Sequence, residues 1–260
     1  MAASIKSINE KLKKTGPLEH RIIGVYAADE KPAGAVTTAK VISSGGPCLA
    51  KALFKMASQR GVPPVYIGAD AAKESCFGAM AWFGYAAFPP RAELLFTSDS
   101  PSPSSMCIKK DSAACLATLK DMGEYKPLGK YVVMQALDDI SEGEGPKDMR
   151  SILCFGKAEQ IRNLGGLIHF SESKAFAPIV APWGSGCSTF VTFPAGVASG
   201  CPKDTAFLSP FVPEGNKWFP ADMLALGIPI AVARRMAEDY ELSFAARKPE
   251  ITYPKEKEVL

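Results

Sequence analysis

Residues 151–166 read SILCFGKAEQIRNLGG. The run at 151–155 is continuously apolar and short, as a buried strand should be. Residues 157–164 read as a helix, and Gly165-Gly166 is its expected stop. A strand feeding directly into a helix is the signature of a layered α/β fold.

The same rhythm continues on both sides. Upstream, strands are expected at 21–27 (RIIGVYA), 65–68, 92–97 (AELLFT) and 131–136 (YVVMQA). Helices are expected at 1–15, where Ile5, Ile8 and Leu12 recur at helical spacing, and at 48–60, where Leu49, Leu53 and Met56 line one face before Gly61. Further helical segments fall at 71–84, around Cys76, and at 111–122. Downstream, 167–170 is a short strand or helix end, 177–181 and 205–209 are strands, and 220–238 reads as a closing helix with proline at its start. The fold class is therefore α/β (or α+β): a layered sheet with helices packed on it and mixed strand directions. One domain is expected over 1–248, arranged as two similar halves of about 1–125 and 126–248, with a charged tail at 249–260.

Composition narrows the function classes. Apolar residues make up 47% of the 260-residue chain and charged residues 22%, which suits a sizeable core. The formal net charge is +3 and is scattered. Lys11, Lys13 and Lys14 form the densest basic cluster and read as a solvated end, so no nucleic-acid partner is expected. The first 20 residues lack an apolar targeting segment, and 77–90 is too short and too interrupted for the roughly 20-residue span a membrane helix needs. The expected location is cytoplasmic, with no membrane partner. In that compartment seven cysteines, an odd number, do not make a disulfide framework. No GxGxxG follows the first strand and no GxxxxGK[ST] occurs, so the standard nucleotide loops are absent.

The candidate chemistry lies in four cysteines. Cys48 follows Gly45-Gly46-Pro47, Cys76 precedes Gly78, Cys187 follows Gly184-Ser185-Gly186, and Cys201 follows Ser199-Gly200. Glycine lets the backbone approach whatever the sulfur faces, which makes Gly46, Gly78 and Gly186 candidate cofactor contacts. A helix start favours thiolate, the form that binds metals and attacks electrophiles. Cys48, Cys76, Cys187 and Cys201 are thus candidate ligands for zinc or an iron–sulfur cluster. Cys48 and Cys187, at helix starts, are also candidate catalytic thiolates acting on a small molecule. Packing of all four in a structural or partner-binding domain is the bland alternative. Cys115 and Cys154 read as core residues and Cys107 as a loop residue.

Other groups carry weaker signals. Trp183 can shield the Cys187 turn, and Trp82, Phe83, Tyr85 and Phe88 are core residues by default that would shield Cys76. His20 and His169 are the two histidines and read as structural; a Cys187–His169 pair has no support from spacing. Asp138-Asp139 and Glu142/Glu144 read as a solvated loop, and Arg234-Arg235 as a surface pair or an anion contact. A homo-oligomer is compatible with the sequence.

As a set, these residues resemble a known family. The segment CLAKALFKMA from Cys48 is similar to its cysteine-plus-alanine-rich-helix motif. Glu74-Ser-Cys76-Phe-Gly78-Ala with Gly84 resembles its Cys-x-Gly motif, KAEQIRNL at 157–164 resembles the helix after its apolar strand, and Gly186-Cys187 and Gly200-Cys201 resemble its two late cysteine motifs. The chain, over roughly residues 5–245, is similar to domain of unknown function 169, a family of prokaryotic cytoplasmic proteins. The resemblance implies a fold and a set of cysteines but no reaction. The family's late motif continues with Gly and Arg, whereas Cys201 is followed by Pro-Lys-Asp-Thr.

Overall fold

The computed structural model describes residues 3–140, 146–176, 178–209 and 218–252. Glu142, Glu144, Ala177 and the tail from 253 to 260 lie outside the described residues. The helices are α1 (Ile5–Thr15), α2 (Thr38–Val41), α3 (Leu49–Ser58), α4 (Phe77–Trp82), α5 (Ser112–Asp121), α6 (Ala158–His169), α7 (Ile230–Asp239), α8 (Phe244–Arg247) and α9 (Pro249–Thr252). The strands are β1 (Ile23–Ala28), β2 (Val65–Gly68), β3 (Tyr131–Ala136), β4 (Met149–Lys157), β5 (Ile179–Val180), β6 (Ala206–Ser209) and β7 (Met223–Pro229).

All seven strands join one mixed sheet in the order β2-β3-β1-β4-β7-β6-β5. Only the β5–β6 pair is parallel among these neighbours. Side chains alternate across the central strands, so the sheet has two apolar faces. Ile152, Cys154, Leu226 and Ile228 pack against α1, α6 and α7, where Ile8, Leu12, Leu164 and Met236 are fully buried. Leu153, Phe155, Val132, Met134 and Ala225 face the other way, onto α3, α4 and the segment around Phe190 and Val191. Full burial of Ile8 and Leu12 contributes about 1.5–3 kcal/mol for each side chain. The expected layered α/β architecture is the one observed.

Three expected elements differ. Residues 92–97 form no strand: Ala92–Leu95 is a 3-10 turn, entered through Arg91 in the left-handed region at φ 63° after Pro89-Pro90. α6 does not stop at Gly165-Gly166 but runs to His169. Those glycines serve close packing instead, since a β-carbon at Gly166 would stand 3.1 Å from the Phe244 ring and one at Gly165 3.3 Å from Ile179. Residues 220–238 are a strand followed by a helix. The run MLALGIP becomes β7, flanked by β4 and β6 and covered on both faces, so it shows no polar alternation to set it apart from a helix. Pro229 stands at the junction as the N-cap residue of α7.

Candidate functional site

Cys48, Cys76 and Cys187 come together on the α3/α4 face of the sheet. Cys187 belongs to the buried cluster on that face, with Leu49, Ala50, Ala79 and Phe190, and Cys48 and Cys76 pack against the same cluster. Each arrives at the start of a helical turn. Cys48 is the N-cap residue of α3, reached through Gly45 and Gly46 at φ 76° and 82°, and its side chain makes no cap hydrogen bond. Cys76 is the N-cap residue of α4, and its Sγ accepts the Ala79 N–H at 3.2 Å. Cys187 precedes a one-turn π-helix, Ser188–Thr192. Such turns are rare and recur at functional sites.

Backbone donors tie the thiols to one another. Besides the Ala79 N–H bond, the nearby amides of Leu49 and Gly78 favour the thiolate of Cys76. Leu49 directly follows Cys48, so the start of α3 reaches across to the Cys76 sulfur. Gly186 brings the third segment close: a β-carbon there would stand 2.8 Å from the Phe190 ring and 3.4 Å from the Ala50 β-carbon. A methyl at Gly78 would meet only ordinary contacts, 4.0 Å from the Cys76 sulfur and 3.9 Å from Trp82, so no steric demand explains that glycine. Ser185 Oγ lies 3.1 Å from Cys187 Sγ.

The electrostatics follow from burial and from this proximity. Burial pushes the Cys76 thiol up, and the charge of Cys48 adds to the effect against the three backbone donors. Burial pushes the Cys187 thiol up further, again reinforced by the charges of Cys76 and Cys48. The three thiols thus interact as a group. Burial and like charge both disfavour thiolate at Cys76 and Cys187, so these two hold their protons in the metal-free protein. Among the described residues, no group of three or more His, Cys, Asp or Glu side chains already has a metal-holding arrangement.

Cys201 stands apart, in a separate cluster of Phe193, Ala198 and Phe207 beside Met122 and Tyr125. Burial pushes its thiol up to about 11. Its turn fastens the end of α5: Ser199 and Gly200 donate backbone N–H bonds to Glu124 and Met122. A β-carbon at Gly200 would overlap the Asp121 carbonyl. Cys154 is fully buried on the opposite face of the sheet, Cys115 is buried in α5 and Cys107 is exposed.

His20 stacks on Phe54 with ring centroids 5.4 Å apart, and burial lowers its pKa. His169 is exposed at the end of α6, across the sheet from Cys187, so those two do not pair. Trp82 and Phe83 are core residues; the Trp82 ring meets Phe88, Tyr125 and Phe193 edge-on. Trp183 flanks the Cys187 turn, held by Phe96 and by Lys109 at 4.7 Å over its ring. Asp138-Asp139 is no idle loop: Asp138 binds Lys13, Asn9 and Arg21, and Asp139 pairs with Arg21, tying α1 to the sheet. Arg235 lies 3.9 Å from Glu172. Reading the sequence missed the Leu49 amide, although the first amides of any helix are free donors, and the hydroxyl of Ser185, which no motif marked.

Among protein families, the model for domain of unknown function 169, described as uncharacterised ArCR, matches residues 11–239. No match was found among curated proteins or among solved structures.

Proposed function

The chain belongs to the domain of unknown function 169 family, and we propose that Cys48, Cys76 and Cys187 bind a zinc ion or an iron–sulfur cluster as a three-thiolate site. The observation that carries this reading is that three thiols far apart in the chain pack on one buried cluster. A cation answers the difficulty the site poses. It supplies the charge that lets buried thiolates coexist, and its binding releases their protons. The amides of Leu49, Gly78 and Ala79 would then tune the Cys76 sulfur, as hydrogen bonds to sulfur do in metal–thiolate sites. Three protein ligands leave one position open for water or a small-molecule substrate, the pattern of a catalytic rather than a closed structural site. Metal binding would require these side chains to move, since no group of three ligands among the described residues is already placed to hold a metal. Gly46 and Gly186 lie in the turns that carry Cys48 and Cys187, Trp183 precedes the second of these turns, and Cys201 packs in a separate cluster.

The test is anaerobic purification followed by iron, zinc and sulfide analysis. The wild type and the Cys201→Ser variant should retain the metal, and serine at Cys48, Cys76 or Cys187 should lose it. A wild type that takes up neither zinc nor a cluster on reconstitution would overturn the reading. So would loss of metal in Cys201→Ser alone.

One observation favours a second reading, a thiol nucleophile. Cys48 is half-buried and its side chain caps no backbone amide, which leaves that sulfur available to a small-molecule electrophile. Pulse alkylation at neutral pH should then label Cys48 well ahead of Cys187, and equal labelling would remove this reading.

A further inference from the structure

A second site lies at the end of the sheet formed by the start of β4 and the end of β7. A cavity of about 460 Å³ opens there. Phe193, Pro194, Pro229 and Ile230 give it an apolar wall, and Arg150 and Lys203 bring positive charge to it. Its volume is within the range of small-molecule sites, and few polar groups on an apolar wall is their usual composition.

Two features of the backbone aim donors at this space, and a third lies beside it. The first is α7, ten residues long, whose N-terminal residues Pro229, Ile230 and Ala231 line the cavity. No side chain caps this helix among the described residues, and its first turn holds no acidic residue. Free amides and the positive end of a helix dipole favour an anion. The second is a β-bulge. The β1–β4 register runs Val25↔Ser151 and then Tyr26↔Met149, so Arg150 is the unpaired extra residue. A bulge re-aims the side chain it carries. Asp148 accepts from Arg150 Nη2 at 2.7 Å, while Arg150 Nε is buried without an acceptor. The third is Ser151, which is fully buried and whose Oγ has no partner. Ser151 pairs across strands with Pro229, the N-cap residue of α7, so its hydroxyl shares the sheet face of that cavity residue. A buried guanidinium nitrogen without a partner, on a cavity wall that also holds a helix N-terminus, calls for an acceptor.

We propose that this cavity binds a small organic molecule through an oxyanion headgroup, a carboxylate or a phosphate monoester, with its apolar body against Phe193 and Pro194. Arg150 and the first amides of α7 receive the headgroup, and Lys203 adds charge at the rim. Asp148 and Asp204 are the acidic neighbours. Asp148 orients the guanidinium, and Asp204 makes the rim less attractive to a multiply charged anion. The site uses none of Cys48, Cys76 or Cys187, so it stands whether or not those thiols hold a metal.

The experiment is ligand-observed NMR and calorimetry on the full chain with phenylacetate, phenyl phosphate and the neutral phenylacetamide. At least one anion should bind with a Kd of 1 mM or tighter and at least tenfold better than the amide; the tighter of the two identifies the headgroup. Arg150→Gln should weaken that binding tenfold or more. Ala231→Phe, at an exposed lining position that should leave folding intact, should block it by filling the mouth. Failure of both anions to exceed the amide would overturn the proposal. So would unchanged binding in Ala231→Phe, or in a folded Arg150→Gln.

Discussion

Replacing Gly227 by alanine puts a methyl carbon 2.6 Å from both the Phe190 carbonyl oxygen and Pro194 Cγ. Gly227 lies in β7, and Phe190 belongs to the π-turn that follows Cys187. Ordinary contact begins near 3.4 Å, so the strand and the turn must separate by about 0.8 Å. A backbone carbonyl cannot swing away as a side-chain tip can. Overpacking of this kind costs about 1–3 kcal/mol, and the upper part of that range applies because backbone must move. Alanine recovers about 0.5–1 kcal/mol relative to glycine within a strand. The net expectation is a loss of about 1–2.5 kcal/mol, or a fall in Tm of roughly 2–10 °C for a chain of this size. Urea denaturation and calorimetry read the loss directly. Faster alkylation of Cys187 in the metal-free protein would show that the turn has moved as well. A Gly227→Ala protein within 0.5 kcal/mol of the parent would refute the idea that β7 packs backbone against the turn carrying Cys187.

Gly78→Ala should act in the opposite sense. The new methyl meets only contacts of 3.9 Å and beyond inside α4, so helix propensity should raise stability by about 0.5–1 kcal/mol in the same urea assay. High pH should destabilise the metal-free protein. Burial pushes Cys154 up to about 12 from an ordinary 9.0, so the folded state keeps a proton that the unfolded chain loses. Stability is fully present below about pH 9 and should fall as pH rises from there towards 12, by on the order of 2 kcal/mol at pH 11; a flat urea midpoint from pH 8 to 11 would count against it. Asp138→Ala should cost about 1–3 kcal/mol because it leaves the mostly buried Arg21 with one carboxylate partner fewer, and an unchanged Tm would show that the network is idle.

Much of the fold was legible where local pattern and burial agree. Ile8 and Leu12 in α1, and Leu49, Leu53 and Met56 in α3, repeat at helical spacing and are the residues the core buries. β7 was not legible, because a strand covered on both faces has no alternation and its apolar run resembles a helix. Gly165-Gly166 looked like a stop signal, yet the reason for both glycines is Phe244 and Ile179, distant in sequence. The cysteines divide in the same way. Their glycine-flanked turns look alike in the sequence, and nothing local separates Cys201 from the other three. The separation is topological. α3 and α4 lie between β1 and β3 in sequence, and the Cys187 turn lies between β5 and β6, but all three segments cover one face of the sheet. Cys201 folds back onto the end of α5 instead.

The central claim is that three sulfurs share one metal site and that Cys201 does not contribute. X-ray absorption on the anaerobically loaded protein tests it most directly by counting sulfurs around the metal. For zinc, three sulfurs near 2.3 Å with one lighter ligand are expected. That count should be unchanged in Cys201→Ser and should drop to two, or the metal be lost, in Cys187→Ser. Four protein sulfurs in the wild type with three in Cys201→Ser would contradict the account, as would a zinc ion with no sulfur neighbours at all.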